Sequence, residues 1–183
     1  TSVISAIAQS YAAMGDRVLV IDGNLRKPRM HQSLGLADAP GLSDCLAGTA
    51  TLESAVQTMS GDTPVHLLSA GAKASRVYER LNSQKMADIV AQAKSMYDIV
   101  LIDAPPMVVA SDGVVLATKC DASILVVKAY QETRGLIARV INQLHETRAQ
   151  HLGIIVNGVK AAAGGYYRRN FRLAHRYNAG VAE

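Results

Sequence analysis

Only two cysteines occur in 183 residues, Cys45 and Cys120, 75 positions apart, with no histidine or further cysteine at ligand spacing. That scarcity excludes a disulfide framework and a zinc site and points to a reducing, cytoplasmic setting. Long hydrophobic runs are also missing: Ser123-Ile124-Leu125-Val126-Val127 is typical of the longest, far short of the roughly 20 apolar residues that a membrane-spanning helix needs. A basic start followed by an apolar stretch and a small-residue cleavage site is absent, so no signal peptide is read. An initiator methionine is absent too. Thr1 leads straight into Val3, Ile4, Ile7, Ala8 and Tyr11, an apolar stripe at helical spacing closed by Gly15. A helix is expected from the first residues, and the chain reads as cut from something longer.

What is present is enough for one core. Hydrophobic residues make up 49% and charged residues 19%, in a length that suits a single domain. The net charge of +4 is not spread evenly. Residues 1–159 carry 14 Lys/Arg against 14 Asp/Glu, whereas residues 160–183 carry Lys160, Arg168, Arg169, Arg172 and Arg176 against Glu183 alone. The same tail holds Tyr166, Tyr167, Tyr177 and the only phenylalanine, Phe171, behind an Ala161-Ala162-Ala163-Gly164-Gly165 stretch that reads as a flexible linker. Body (1–159) and tail (160–183) are separate problems. A basic aromatic tail is compatible with nucleic acid, but nothing in the balanced body supports that partner, and none is expected.

Within the body, short runs rich in β-branched residues recur at 17–22, 65–68, 97–103, 122–127 and 152–157, each apolar on both faces. That pattern marks strands of a parallel sheet buried on both sides. Between them lie stretches of 3.6-residue periodicity. One is 83–96, with Ser83 as N-cap and Met86, Ile89, Val90 and Ala93 inward; the other is 132–145, with Leu136, Ile137, Val140, Ile141 and Leu144 inward. The fold class is therefore α/β, a doubly wound, mostly parallel sheet whose ligands sit beyond the carboxyl ends of the strands.

Two of the runs end alike, Val18-Leu19-Val20-Ile21-Asp22 and Ile99-Val100-Leu101-Ile102-Asp103. A single strand-end aspartate is ordinary turn chemistry. A pair at one sheet edge, close to a helix opening Thr1-Ser2, suits Mg²⁺ held against nucleotide phosphates, because Mg²⁺ takes hard oxygen ligands and a helix N-terminus favours anions.

These residues resemble the cytoplasmic kinase domain of bacterial tyrosine kinases, the polysaccharide co-polymerase autokinases of capsule and exopolysaccharide export, within the MinD/ParA-like P-loop ATPases. Three features carry the resemblance. Asp22-Gly23-Asn24-Leu25-Arg26-Lys27-Pro28 matches the family's second acidic motif at its expected distance from Thr1. Ile99 to Pro106 matches Walker B. The tail tyrosines stand where the family keeps its tyrosine cluster, and Gly41-Leu42-Ser43-Asp44 resembles a further family segment. The resemblance implies a P-loop NTPase-like fold, ATP and Mg²⁺ as cofactors, and protein-tyrosine autokinase activity. It places Thr1, Asp22 and Asp103 on the metal and makes Asp22 and Asp103 catalytic. Ser2, Asn24, Arg26 and Asn157 fall near the nucleotide, and Tyr166, Tyr167 and Tyr177 become autophosphorylation sites. It also implies a ring-like homo-oligomer, a transmembrane co-polymerase part fused or separate, a tyrosine phosphatase, and work at the cytoplasmic face of the bacterial inner membrane.

Three departures accompany the match. The Walker A glycines and lysine are not in this sequence, so residues 1–183 by themselves are expected to be inactive. Asn24 stands where the family has a second aspartate, keeping the size and losing the charge. Ala72-Lys73-Ala74-Ser75 replaces a proline- and asparagine-rich turn. Two other readings remain open: a MinD/ParA-like ATPase with water as acceptor, and a nucleotide-binding interaction module without catalysis.

Overall fold

The computed structural model describes residues 2–59, 63–108 and 111–159. Helix α1 (Ser2–Ala13) leads through a turn at Gly15, whose φ of +96° a side chain would strain, into strand β1 (Val18–Asp22). Three short helices follow, α2 (Met30–Leu34), α3 (Leu42–Ala47) and α4 (Leu52–Ala55), then strands β2 (Val56–Thr58) and β3 (Val65–Leu68). Helices α5 (Val77–Leu81) and α6 (Gln84–Met96) lead to β4 (Ile99–Asp103), and α7 (Asp112–Ala117) leads to β5 (Ala122–Lys128). Helix α8 (Arg134–His145) and strand β6 (Gln150–Asn157) complete the described chain.

The strands form two ladders. One is four-stranded in the order β2-β3-β1-β4, parallel except for the antiparallel edge strand β2; the other is the parallel pair β5-β6. Strand β1 is fully buried, and its alternation sorts the core into two layers. Leu19 and Ile21 face Leu42, Leu81, Met86, Ile89 and Leu116 from the α3, α5, α6 and α7 side. Val18 and Val20 face Ala8 and Ala12 of α1, with Met30 and Met59. Helices on both faces are what a parallel sheet of apolar strands demands.

The periodicity readings hold where the segments are long. Ser83 caps α6, its side chain accepting from the Met86 N–H, and Met86, Ile89, Val90 and Ala93 are all buried. Helix α8 begins two residues later than the sequence pattern suggests, because Thr133 is its cap, and Val140 and Leu144 are its buried pair. One expectation needs correction. Strands β5 and β6 are apolar on both faces but not covered on both: Ile124, Val126, Leu152, Ile154 and Val156 remain exposed. Among the described residues, no helix is long and apolar enough to cross a membrane.

Candidate active site

The site begins with register. Strands β1 and β4 are parallel neighbours in which Asp22 pairs directly with Asp103, so the two carboxylates leave the sheet side by side, about 4.8 Å apart in the backbone. Helix α1 has 12 residues and runs about 18 Å, antiparallel to β1 across the short Gly15 turn. Its first turn at Ser2 therefore lies at the same end of the sheet as Asp22. Ser2 is exposed there, and Thr1 lies outside the described residues.

Asp22 is only 2% exposed. Its Oδ1 accepts the Asn24 N–H at 3.0 Å and its Oδ2 the Met30 N–H at 3.4 Å, so the following loop curls over it. Burial pushes the Asp22 carboxyl above its ordinary range, and the neighbouring Asp103 charge adds to this, while the backbone N–H of Asn24 works against it. Gly23 is required by close approach. Its N–H donates to the Asp103 carbonyl at 2.9 Å, and a Cβ there would lie 2.7 Å from Leu116 Cδ1 of α7.

The remaining expected residues fall in different places. Asn24 is half-buried and its Oδ1 accepts from Lys27 N at 3.2 Å, closing the turn. Arg26 is turned to Asp112, its Nε and Nη2 donating to Oδ2 and Oδ1 at 2.5 and 3.0 Å. Asn157 ends β6 in the other ladder; its Oδ1 accepts from Gly158 N and its carbonyl from Ala129 N. Tyr166, Tyr167 and Tyr177 lie outside the described residues. Asp112 is the residue that sequence reasoning missed. Within Ser111-Asp112-Gly113 it looks like a turn residue, and no local signal joins it to a partner 86 positions away.

The Gly41-Leu42-Ser43-Asp44 segment proves to be a stitch. Leu42 N and Ser43 N donate to the carbonyls of Ser69 and Ala70, Ser43 Oγ donates to Ala72 O, and Asp44 Oδ2 accepts from Gly41 N and Ala72 N. The groups used at Ala72 are backbone, so these two bonds do not depend on its side chain.

The donor set fits Mg²⁺ in the way that cation is ordinarily held. No group of three or more His, Cys, Asp or Glu side chains able to hold a metal ion exists among the described residues. Mg²⁺ needs only one or two carboxylates when substrate phosphates supply the rest. Burial is the main cause of the rise at Asp22, and a cation would offset both that and the smaller repulsion from Asp103.

Comparison with known proteins gives the family. The family model described as "Cellulose biosynthesis protein BcsQ" matches residues 1–162. The tyrosine-protein kinase YwqD of Bacillus subtilis (strain 168) is 31% identical over 164 residues, 88% of this chain and 69% of YwqD. The tyrosine-protein kinase wzc of Salmonella typhimurium is 28% identical over 166 residues, 91% of this chain but only 23% of wzc. Among solved structures, the kinase domain of the Escherichia coli tyrosine kinase ETK superposes with a TM-score of 0.82 at 29% identity, covering 88% of this chain and 64% of that one. MinD from Pyrococcus horikoshii OT3, complexed with Mg-ADP, gives 0.65 at 26% identity, covering 79% and 59%. The chain belongs to the family that the BcsQ model describes, among the bacterial tyrosine-protein kinases and alongside the MinD/ParA-like P-loop ATPases.

Proposed function

We propose that residues 1–159 form the catalytic domain of an ATP- and Mg²⁺-dependent bacterial protein-tyrosine autokinase, with 160–183 as the tail carrying its acceptors Tyr166, Tyr167 and Tyr177. The observation that carries this is the in-register pair Asp22 and Asp103 at the carboxyl edge of adjacent parallel strands, beside the start of α1. Phosphoryl transfer asks the protein for positioning and for charge neutralisation at the β- and γ-phosphates. When bound, Mg²⁺ supplies that neutralisation. Asp103 and Asp22 would hold it, and Asp22, buried beneath the loop that follows it, would act through the cation it helps to place.

The strand edges support a further part of the reading. Among the described residues, β4 pairs only with β1 and β5 only with β6, although both strands are apolar. A strand leading through a glycine-rich loop into α1 would pair with both edges, and the loop would cradle the phosphates at Thr1. Such a strand and loop, upstream of Thr1 in the full-length protein, complete the domain. The kinase then regulates polysaccharide polymerisation and export at the cytoplasmic face of the inner membrane. It works as a homo-oligomer with a transmembrane co-polymerase part and is reset by a tyrosine phosphatase.

One observation favours the ATPase alternative: Asn24 is neutral and its amide oxygen already closes the loop. The test is to incubate the full-length protein with Mg-ATP and map phosphate by peptide mass spectrometry, with Asp103→Asn as control. Phosphate on the three tyrosines that disappears in the control is expected. ADP accumulation without phosphotyrosine would overturn the kinase reading in favour of an ATPase, and nucleotide binding without ADP would leave a binding module.

A further inference from the structure

The loop that covers Asp22 is fastened at its apex. The Arg26 side chain is 51% exposed, yet its guanidinium forms a two-point fork with Asp112, whose side chain is 1% exposed. A buried carboxylate is costly unless it is paired and hydrogen-bonded. An arginine fork satisfies both oxygens and fixes direction as well as charge, which an ammonium cannot do. Asp112 opens α7, and α7 touches the same loop a second time where Leu116 closes on Gly23. The loop from 23 to 26 is thus held at its root by Leu116 and the Asp103 carbonyl and at its apex by Asp112. Of the two N–H groups that orient the Asp22 oxygens, that of Asn24 lies within the held segment and that of Met30 follows it four residues after Arg26.

We propose that the Arg26–Asp112 pair is a positioning clamp. Asp112 holds Arg26, Arg26 holds the loop over Asp22, and the loop sets the direction in which the Asp22 carboxylate meets the divalent cation shared with Asp103. Neither Arg26 nor Asp112 need touch the nucleotide. The metal-binding consequence rests on the function proposed above; the clamp on the loop does not. This assigns Arg26 away from the phosphates, where the resemblance would put it, and gives a role to Asp112.

The experiment uses the full-length protein and three variants: Asp112→Asn, which keeps the shape and loses the charge; Arg26→Lys, which keeps the charge and loses the fork; and Arg26→Gln. Two readouts avoid phosphoryl transfer altogether. The first is Mn²⁺ affinity in the presence of ADP, followed by electron paramagnetic resonance. The second is the rate of tryptic cleavage after Arg29, an exposed residue between the held segment and Met30, whose N–H binds Asp22. Partners that orient metal ligands typically change affinity about 10- to 100-fold when lost. Asp112→Asn and Arg26→Gln are expected to weaken Mn²⁺ by about tenfold, the low end of that range, and Arg26→Lys, which keeps the charge, by about threefold, below it, with cleavage after Arg29 accelerated in the same order. Arg26→Lys alters only an exposed side chain and keeps the test valid should Asp112→Asn fold poorly. Lowered melting temperatures with unchanged Mn²⁺ affinity would overturn the proposal, leaving a structural ion pair. Unchanged cleavage would overturn it as well. Absence of phosphotyrosine in the unmutated protein would sink the kinase reading while these two readouts still decide the clamp.

Discussion

Asp22→Asn is expected to leave the full-length protein at least as stable at neutral pH while cutting phosphotyrosine formation by about 100-fold or more, the scale of losing one preorganised charge in a phosphoryl-transfer site. The stability half follows from burial. A carboxyl held above its ordinary range in the folded state favours folding below that range and loses the benefit as pH rises through the folded value. At pH 7 the Asp22 charge is thus a cost of the native state, and asparagine removes it. Asparagine can still accept the Asn24 N–H with its Oδ1, giving up only the longer contact to Met30 N. Urea unfolding of both proteins at pH 7 and at pH 3.5 checks the sign. The variant's advantage should shrink at the lower pH, where Asp22 becomes protonated. A variant that is much less stable at pH 7 yet keeps its activity would make Asp22 a structural cap.

Gly41→Ala is expected to cost about 3 kcal/mol, combining forced overpacking with strained hydrogen bonds. Its φ of −152° is extended backbone that any residue adopts, so the requirement lies in space. A Cβ at 41 would sit 2.4 Å from Ser69 O, 2.5 Å from Gly71 N and 2.7 Å from Gly71 Cα, all main-chain atoms unable to swing aside. Making room pulls apart the stitch between 41–44 and 69–72. At roughly 2–4 °C per kcal/mol for a chain of this size, melting should drop by about 6–12 °C. Gly135→Ala is the control. It lies in α8 with nothing within 4 Å of its Cβ position, and alanine there should not lower the melting temperature. A Gly41→Ala protein melting with the parent would mean that the stitch yields more easily than its main-chain contacts imply.

Much of this is legible in the sequence, and the reason is local. Strands β1 and β4 announce themselves as dense β-branched runs stopped by a carboxylate, and α6 carries both its cap and its stripe. The same letters place Asp22 and Asp103 at strand ends, and the pairing of parallel strands then brings them together. Helices α2, α3, α4, α5 and α7 have four to six residues each, too few for a 3.6-residue period to show. Strand β2 is three residues long and follows α4 directly, so nothing in its letters separates it from a helix end. The stitch at Asp44 and the fork at Asp112 rest on partners 28 and 86 positions away. Such distances carry no periodic signal, and only folding puts the charges together.

The split between the two ladders has a consequence for folding. A two-stranded sheet is marginal in water unless something packs on it, and β5-β6 leans mainly on one side of α8 while keeping five large apolar side chains exposed. The four-stranded ladder, with β1 sealed on both faces, is a separate reservoir of stability. Backbone amides of β5 and β6 in residues 1–183 alone therefore exchange with solvent through an opening that leaves β1 and β3 closed. Among the described residues β4 and β5 each have an unpaired edge, and those edges are where one such chain would add to another.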